Sequence, residues 1–526
     1  MYFKKKQLSV IPLVILLLLS GCTNPFMEKI LGRGGEKPYT GPPGSGTPGD
    51  PFIVHDVATL QRVGREAVGW TLSASYKQVR NIDLKNIDWT PIGEDPAAFF
   101  GEYDGGGKTI ANLSIYGSGQ DYQGMFGRIE VSGVVKNLTL TNCYVLGSGQ
   151  IGGLAGWNNG MVQNCTVSGS INGYTYVGTV VGLNLKEVIG CNAMGTVNGS
   201  YPVGGVAGHN VGIVAESHAA NEVWGDLNIG GVVGTNSGMV NNCSSTGNIS
   251  GDDYTGGVAG ANDSGIIKYC HAAGTITGSG NVGGIVGVNE AGYGTISNCY
   301  VTGNAKISCT ANTGNVGGIV GANYSGSEVF SCYVNGDVSG GGAASQCIGG
   351  IAGVNEGMMS DCYTTGKVTG SGECVGGIVG VNDGTSASVR ICYATGTVSG
   401  ANNIGGIVGR NGSNGIIETC IALNTNITVS GSDFGRVAGS NTGPMAKNYG
   451  RNDMKVNGNV YTSWNNNNTD PHGEEITAHE WINESNWTGN WDFVFSNGGI
   501  DIWAWNNGLP ILRDVGGTQN PRVVAP

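Results

Sequence analysis

Charged residues, prolines and clusters of basic residues are scarce in this chain. Asp, Glu, Lys and Arg make up 12% of the 526 residues, about half the usual share. The net charge of −12 is spread along the chain. Beyond residue 6, Lys and Arg form no patch suited to phosphates, so nucleic acid is not an expected partner. With 15 prolines and no Gly-X-Y period, the 97 glycines do not indicate collagen.

Motifs for metal binding and catalysis are missing as well. No two cysteines have the C-x-x-C spacing of a zinc site. The string His479-Glu480-Trp481-Ile482-Asn483 lacks the second histidine of a zinc-binding H-E-x-x-H helix. We therefore expect no catalytic residues, no metal and no cofactor.

The chain instead carries a repeat. The unit V-G-G-I-V-G-x-N recurs every 26 to 34 residues, and its clearest copy runs from Val282 to Gly303. Short β-branched runs separated by Gly and Asn predict strands joined by tight corners, and a fixed period of this size indicates a solenoid. We predict an all-β fold, a right-handed parallel β-helix of about twelve coils stacked about 4.8 Å apart.

The chain divides into six predicted segments. The N-terminal cap includes a short helix that begins after Asp56, and the C-terminal cap is rich in Trp. The segments are a lipoprotein signal peptide and lipobox at 1–22, a Gly/Pro-rich tether at 23–50, an N-terminal cap with irregular first coils at 51–122, the repeat β-helix at 123–444, the C-terminal cap at 445–516 and a tail at 517–526.

The first 22 residues are predicted to direct export. Lys4 to Lys6 precede an apolar stretch, Leu8 to Leu19, that is too short to cross a bilayer comfortably. The sequence Leu19-Ser20-Gly21-Cys22 resembles a bacterial lipobox, in which the cysteine is acylated. We expect lipidated Cys22 to anchor the protein to the outer membrane or cell surface. The alternative is an ordinary secretory signal with a chance cysteine.

One asparagine position is shared by all eleven clear repeats. At a corner it can take the left-handed conformation, and its amide can bond the amides of the coils above and below. We predict a structural Asn ladder, with a ligand-binding row as the alternative. Its members are Asn158, Asn184, Asn210, Asn236, Asn262, Asn289, Asn323, Asn355, Asn382, Asn411 and Asn441.

Ten cysteines also share one phase of the repeat, and Ser217 replaces an eleventh. In-register parallel strands hold their Cβ atoms about 4.8 Å apart, farther than a disulfide prefers, so a buried ladder of free thiols is expected. Outside that ladder, Cys347 and Cys374 hold equivalent places at loop-to-strand junctions. We predict that they form a disulfide and that Cys309 stays unpaired. The ladder positions are Cys143, Cys165, Cys191, Cys243, Cys270, Cys299, Cys332, Cys362, Cys392 and Cys420.

These motifs resemble the GLUG-motif repeat of bacterial surface proteins. The pattern V-G-G-I-V-G-x-N…G-x-I-x-N-C-Y-x-T-G carries the resemblance, and residues 50–140 resemble the segment that often precedes such repeats. The resemblance implies a β-helical stalk and an exported location. Similar repeats flank immunoglobulin A1-specific metallopeptidases, but this chain lacks the peptidase motif.

A tyrosine stripe is the predicted binding face. Tyr300, Tyr333, Tyr363 and Tyr393 each follow a ladder cysteine and should point outward, where they could stack against glycans or extended chains. The alternative is mutual stacking that stabilises the strands. The Trp-rich cap is the second candidate, either as a sugar-binding platform or as a closure of the core.

The sequence favours a membrane-anchored surface lipoprotein that acts as an adhesin or as a scaffold for glycans or for host or bacterial surface proteins, without catalysis. The alternative is a polysaccharide-processing enzyme, of lyase or glycosidase type, on the same scaffold, which needs clustered carboxylates in one groove. Acidic residues recur at one corner, at Glu290, Glu356 and Asp383. A cation there, the ligand, the side of the membrane and the oligomeric state are left open.

Overall fold

The chain forms a parallel β-helix, which confirms the predicted fold class. The computed structural model describes residues 39–85, 87–311, 314–341, 347–464, 467, 469–489, 491, 493, 502–506, 508–519 and 521. The elements named below lie in the compact unit Gly44–Pro526. The predicted signal peptide and most of the tether, Cys22 among them, lie outside the described residues.

The path of one coil illustrates the whole helix. Val286–Asn289 lies on the ladder face, Thr295–Ser297 on the second face and Tyr300–Val301 on the tyrosine face. Lys306–Cys309 then lies on the hydroxyl face and Val316–Gly317 at the glycine corner. The next coil begins with Val320–Asn323, which pairs in parallel and in register with Val286–Asn289. Each strand thus hydrogen-bonds to its counterpart in the next coil.

Two faces contain most of the short strands. Twelve strands form the ladder face: Phe126–Ile129, Ala155–Asn158, Val181–Asn184, Ala207–Asn210, Val233–Asn236, Ala259–Asn262, Val286–Asn289, Val320–Asn323, Ala352–Asn355, Val379–Asn382, Val408–Asn411 and Ala438–Asn441. The second face comprises Phe52–Val54, Ser75–Gln78, Glu102–Ala111, Val134–Leu146, Met161–Gln163, Glu187–Ile189, Ile213–Ala215, Met239–Asn241, Ile266–Lys268, Thr295–Ser297, Glu328–Phe330, Met358–Ser360, Ser388–Arg390, Ile416–Glu418 and Met445–Ala446.

The remaining strands lie on the tyrosine face, on the hydroxyl face and at the glycine corner, and the longest of them extend over two or three of these. The tyrosine face comprises Ile82–Asp83, Thr166–Asn172, Asn192–Asn198, His218–Gly230, Ser244–Ser245, His271–Ala272, Tyr300–Val301, Tyr333–Val334, Tyr363–Thr364, Tyr393–Ala394, Ile421–Ala422, Tyr449–Arg451 and Glu474–Ile476. The hydroxyl face adds Ser114–Tyr116, Ile249–Gly256, Thr275–Gly278, Lys306–Cys309, Asp337–Ser339, Val368–Thr369, Val398–Gly400, Asn426–Val429 and Lys455–Val456. The glycine corner holds Gly149–Gly152, Thr175–Gly178, Tyr201–Gly204, Val282–Gly283, Val316–Gly317, Cys347–Gly349, Cys374–Gly376, Ile404–Gly405 and Phe434–Gly435.

The helix has about 15 turns, more than the twelve predicted. The additional turns precede the repeat, where Phe52–Val54 pairs with Ser75–Gln78, which in turn pairs with Glu102–Ala111. Their core is aromatic, with Tyr76, Phe99 and Tyr103 buried. The sequence count missed these turns because it followed the aliphatic Gly-Gly motif.

Steric limits explain the paired glycines of the repeat. A Cβ at Gly317 would lie 1.9 Å from the carbonyl oxygen of Val320, and one at Gly318 would lie 2.0 Å from the carbonyl oxygen of Gly350. Any side chain would therefore force the bend open. The two glycines let the backbone turn sharply into the ladder face while the adjacent coil stays within hydrogen-bond distance.

The ladder asparagines do not have the left-handed conformation that the sequence predicted for them, so that prediction was wrong. The ladder asparagines end strands, whereas positive φ occurs at the residue before each ladder cysteine, as at Asn298, Asp361 and Ile391. This residue turns the chain from the second face to the tyrosine face. Even Ile391, with φ of 52°, is held there by the stacked coils.

Different elements close the two ends. The helix Val57–Arg62 begins with a capping box between Asp56 and Thr59 and buries Leu60 against the first turns. At the other end, Arg436 is buried and donates to the carbonyl oxygens of His472 and Gly473. The Trp464 ring packs beneath that guanidinium.

The rest of the Trp-rich segment leaves the end of the helix. It forms two short helices, Ala478–Trp481 and Glu484–Gly489, and a hairpin of Trp503–Asn506 with Leu509–Leu512. The described residues from 478 to 519 are called the strap below. They lie along the tyrosine face, so the predicted C-terminal cap closes the core only through its first part.

Candidate binding faces

The four predicted tyrosines form one stack on the tyrosine face. Ring centroids are 5.2 Å apart between Tyr300 and Tyr333, 5.2 Å between Tyr333 and Tyr363 and 4.9 Å between Tyr363 and Tyr393. The rings are parallel to within 7°. They point away from the coil interior, because the inward cysteine before each one fixes the alternation of the strand.

The strap covers this stack, so the tyrosines are not the open binding face that the sequence predicted. Tyr333 is 1% exposed, and Tyr363 and Tyr393 are 0% exposed. They share a hydrophobic cluster with strap residues such as Trp487 and Trp503. The outward direction of these side chains was predicted correctly, but the repeat pattern carries no information about a segment outside the repeat that returns over them.

Each buried tyrosine hydroxyl also bonds to the strap. Tyr333 donates to the carbonyl oxygen of Gly516 over 2.8 Å, and Tyr393 donates to that of Pro510 over 2.6 Å. Tyr363 donates to the side-chain oxygen of Gln519 over 3.0 Å. The strap is therefore held by aromatic contact and by specific hydrogen bonds, since a buried hydroxyl without a partner would be costly.

Beyond the described residues of the strap, the groove continues toward the N-terminal coils. His271 stacks on Tyr300 with centroids 4.8 Å apart and planes 7° apart. Burial, with a smaller contribution from the charge of His218, lowers the pKa of His271, so the ring is neutral at neutral pH. A pocket of about 510 Å³ opens here, lined by Asn241, Asn242, Lys268, Tyr269, His271, Tyr300, Asp514 and Gly516.

The ladder asparagines form an unbroken chain of side-chain hydrogen bonds. Each Nδ2 donates to the Oδ1 of the next coil over 2.7–2.9 Å, from Asn158 through to Asn441. Most also donate to a carbonyl oxygen of the following loop, as Asn355 does to Gly357. Asn158 to Asn411 are at most 1% exposed. Asn441 is half-buried. The geometry is that of an internal structural element.

Nine of the ten predicted ladder cysteines, from Cys165 to Cys420, share one position across the coils, with Ser217 in the same row. The placement of Cys143 in this row was wrong, because a shift in strand register pairs it with Gly169. All ten cysteines are buried free thiols. Cys309 is also free and buried. Burial raises the pKa of Cys143 to about 12, which makes this thiol inert near neutral pH.

The predicted disulfide between Cys347 and Cys374 is absent. The two residues are direct partners on adjacent strands, but both are free thiols, because in-register parallel strands keep Cβ atoms about 4.8 Å apart. A hydrogen bond with Cys347, followed by the nearby charge of Arg410, lowers the pKa of Cys374 to about 7.

The acidic corner does not assemble a carboxylate cluster. The coil that carries Tyr324 lies between those of Glu290 and Glu356. Burial raises the pKa of both glutamates, with smaller contributions from Asp263 and Asp383, respectively. Within the part of the chain that the structure describes, no three His, Cys, Asp or Glu side chains are placed to hold a metal ion.

A known family of sequence repeats matches several of these coils. A family profile described as "The GLUG motif" matches residues 147–172, 278–308, 344–369 and 371–399. The chain carries GLUG-motif repeats. The matched GLUG segments lie in coils that supply the Asn ladder, the thiol ladder and the tyrosine stack, so the resemblance seen in the sequence is confirmed.

Two known proteins are similar in sequence to this chain over about a quarter of its length. Halomucin of Haloquadratum walsbyi is 36% identical over 142 residues, which cover 25% of this chain and 2% of halomucin. A protein of Evansella cellulosilytica described as a Gly-rich membrane protein is 32% identical over 133 residues, which cover 24% of this chain and 15% of that protein. This chain thus matches only a small part of the length of either relative.

A solved structure also aligns over most of the chain. It is described as an immunoglobulin A1 protease from Bacteroides ovatus, with 17% identity, coverage of 89% of this chain and 94% of that one, and a TM-score of 0.20.

In the described part of this chain, no helix has the length and apolar character needed to cross a membrane.

Proposed function

We propose that this protein is a lipid-anchored β-helix of the bacterial cell surface that serves as an adhesin or as a binding scaffold for glycans or surface proteins. Cys22 is its anchor in this proposal, and the β-helix binds its ligand without catalysis. The membrane assignment of the Gly-rich relative supports a membrane-associated location.

The observation that carries the proposal is the strap on the tyrosine face. An outer face of the β-helix already holds the strap. Aromatic side chains are buried between the strap and this face, and tyrosine hydroxyls bond to the strap backbone. Repetition makes such a face long and regular, which suits extended ligands. The open continuation of the same groove combines stacked rings with Lys268, two amides and Asp514. These groups supply hydrogen-bond donors and acceptors that are able to bind sugars or peptides.

An array of glycans and host-matrix proteins tests the proposal. The probe is the whole chain with Cys22→Ser, compared with the same chain carrying Tyr269→Ala and His271→Ala in the open groove. Tyr293→Ala is the matched control, because Tyr293 is an 85% exposed aromatic residue outside the groove. We expect binding that the groove variant reduces and the control preserves.

Failure of the parent chain to bind any glycan or protein would contradict the proposed role. Release of reducing ends or unsaturated sugars from a polysaccharide panel would contradict the non-catalytic part and favour the polysaccharide-processing alternative. Loss of binding in Tyr293→Ala alone would move the site away from the groove.

A further inference from the structure

Trp224 is an exposed tryptophan on an otherwise polar sheet face. Its side chain is 50% exposed, whereas Trp70, Trp89, Trp481, Trp487 and Trp503 are buried. It lies in the strand His218–Gly230, and its register partners in the coils on either side are Asn198 and Ser250. A flat indole held open on a rigid strand is costly to leave in water and well suited to stack on a ligand.

Hydroxyl side chains continue the row that Trp224 begins. Cross-strand register places one Ser or Thr in each following coil, directly in line with the indole. The row is Ser250, Thr277, Ser308, Ser339, Thr369, Ser399 and Thr428. Its members are half-buried or exposed. At about 4.8 Å for each coil, the part from Trp224 to Thr369 spans about 24 Å.

Two pockets along this row meet to form one shallow groove. The first, about 300 Å³, is lined by Glu222, Trp224, Asn248, Ile249, Ser250, Thr275 and Thr277. The second, about 480 Å³, begins at the same Thr275 and extends past Ser308 and Ser339 to Thr369. A second outward row flanks the hydroxyls, two residues earlier in each strand. Trp224 therefore stands at one end of a groove lined with amide, hydroxyl and carboxylate groups.

Charge in the groove is balanced. The charged residues that line it are Glu222, Lys306, Asp337 and Lys367, two acids and two bases. Since the whole chain carries a net charge of −12, neither the groove nor the surrounding field favours an acidic polymer. Hydroxyls and amides that repeat at one spacing fit a ligand that is itself neutral, extended and rich in hydroxyl groups.

We propose that this groove, from Trp224 to Thr369, binds one strand of an extended neutral polysaccharide that lies along the helix axis. A pyranose ring stacks on Trp224, and the sugars that follow hydrogen-bond to the hydroxyl row and to the amide of Asn248. The inference rests on the proposed binding function and adds to it a second face and a class of ligand.

The test is calorimetric titration of the whole chain carrying Cys22→Ser with β-1,4-linked cellohexaose, mannohexaose and chitohexaose, with hexagalacturonate as the acidic comparison. We expect at least one neutral hexasaccharide to bind more tightly than its disaccharide, because only the longer chain spans the groove. Trp224→Ala should weaken that binding at least tenfold, and Trp224→Phe should restore most of it. The double variant Thr277→Val and Thr369→Val keeps side-chain shape and should weaken it several-fold, while Tyr293→Ala should leave it unchanged.

Separate outcomes overturn this inference and the proposed function. Binding of a neutral hexasaccharide with full affinity to Trp224→Ala would place the glycan site elsewhere and leave the proposed function standing. The polysaccharide inference also fails, and the proposed function also stands, if the array finds a ligand but no neutral hexasaccharide binds. Binding of hexagalacturonate alone would have the same meaning. If Trp224→Phe fails to restore binding although circular dichroism shows a native fold, stacking on the indole is not the mechanism.

Discussion

Trp503 donates its indole N–H to the Asp361 carboxylate over 3.0 Å, across 142 residues of sequence. Trp503 belongs to the strap and Asp361 to a turn between the second and tyrosine faces. Trp503 is fully buried and Asp361 is 8% exposed. Burial raises the pKa of Asp361 to about 6, although hydrogen bonds from Ser360 and Trp503 oppose the rise. We therefore expect docking of the strap to be coupled to protonation of Asp361.

Asp361→Asn should stabilise strap docking at pH 7. The pKa of about 6 in the fold exceeds the unfolded value of about 3.9, so the contribution of Asp361 is fully present below pH ~3.9 and is lost as pH rises through ~6. Asparagine keeps the acceptor and removes the buried charge, for an expected gain of about 1–3 kcal/mol at pH 7 and little gain near pH 4. Hydrogen exchange of residues 502–519 at both pH values measures it. The exposed Asp252→Asn is the control, and equal protection of parent and variant at pH 7 would contradict the coupling.

Tyr393→Phe should loosen the strap without disturbing the coils. It removes the donor to the carbonyl oxygen of Pro510 and keeps the ring in the stack, so we expect a loss of about 1–3 kcal/mol in docking. Limited proteolysis should cut the strap faster and leave residues 123–444 intact. Tyr300→Phe, at the half-exposed end of the stack, is the matched control. An unchanged cleavage rate in Tyr393→Phe would mean that packing alone holds the strap.

Asn355→Ala should destabilise the middle of the helix. Asn355 accepts from Asn323 over 2.8 Å and donates to Asn382 over 2.9 Å. Its loss leaves both neighbours short of a partner inside the protein, at a cost of about 1–3 kcal/mol. The thermal midpoint measures the effect against Asn192→Ala, an exposed asparagine. A midpoint equal to that of the control would show that the ladder is dispensable.

Cys374 and its partner Cys347 should be the first thiols to react in the native protein. With a pKa of about 7, Cys374 gains thiolate, and so reactivity, as pH rises through 7. Burial raises the pKa of Cys143, so that thiol stays protonated, and the ladder thiols are shielded from the reagent by burial. Iodoacetamide labelling followed by peptide mapping should find label at 374 or 347 before any ladder position. Arg410→Gln should slow the reaction. A cystine peptide that joins 347 and 374 in untreated protein would contradict the free pair.

Cys22→Ser should release the protein from the membrane fraction, because the proposed anchor is the lipid on Cys22. Fractionation with detergent partition compares it with Cys309→Ser, which removes a buried cysteine of the fold. Retention of the Cys22 variant as a lipid-modified protein would disprove the anchor.

Repetition made the interior predictable. Comparison of coils within one sequence located the Asn ladder and the buried thiols, because each position must satisfy the coils on both sides. The strap was not predictable in this way, since the bond from Tyr333 to Gly516 joins residues 183 apart with no repeat between them. Trp224 could have been noticed, because it occupies a place where the later coils carry Ser or Thr. The repeat made that place look like an ordinary variable position.

The equivalence of the repeat coils has a consequence for the length of the protein. From Asn158 to Asn411, each repeat turn brings its own ladder amide, its own inward-facing thiol or serine and its own strand for every face. Such a turn can be gained or lost as a unit without a new kind of contact. The axis would then lengthen or shorten in discrete steps of about 4.8 Å. Duplication or deletion of the gene segment for a whole coil would therefore change how far the protein reaches, while the side chains of every face stay in register.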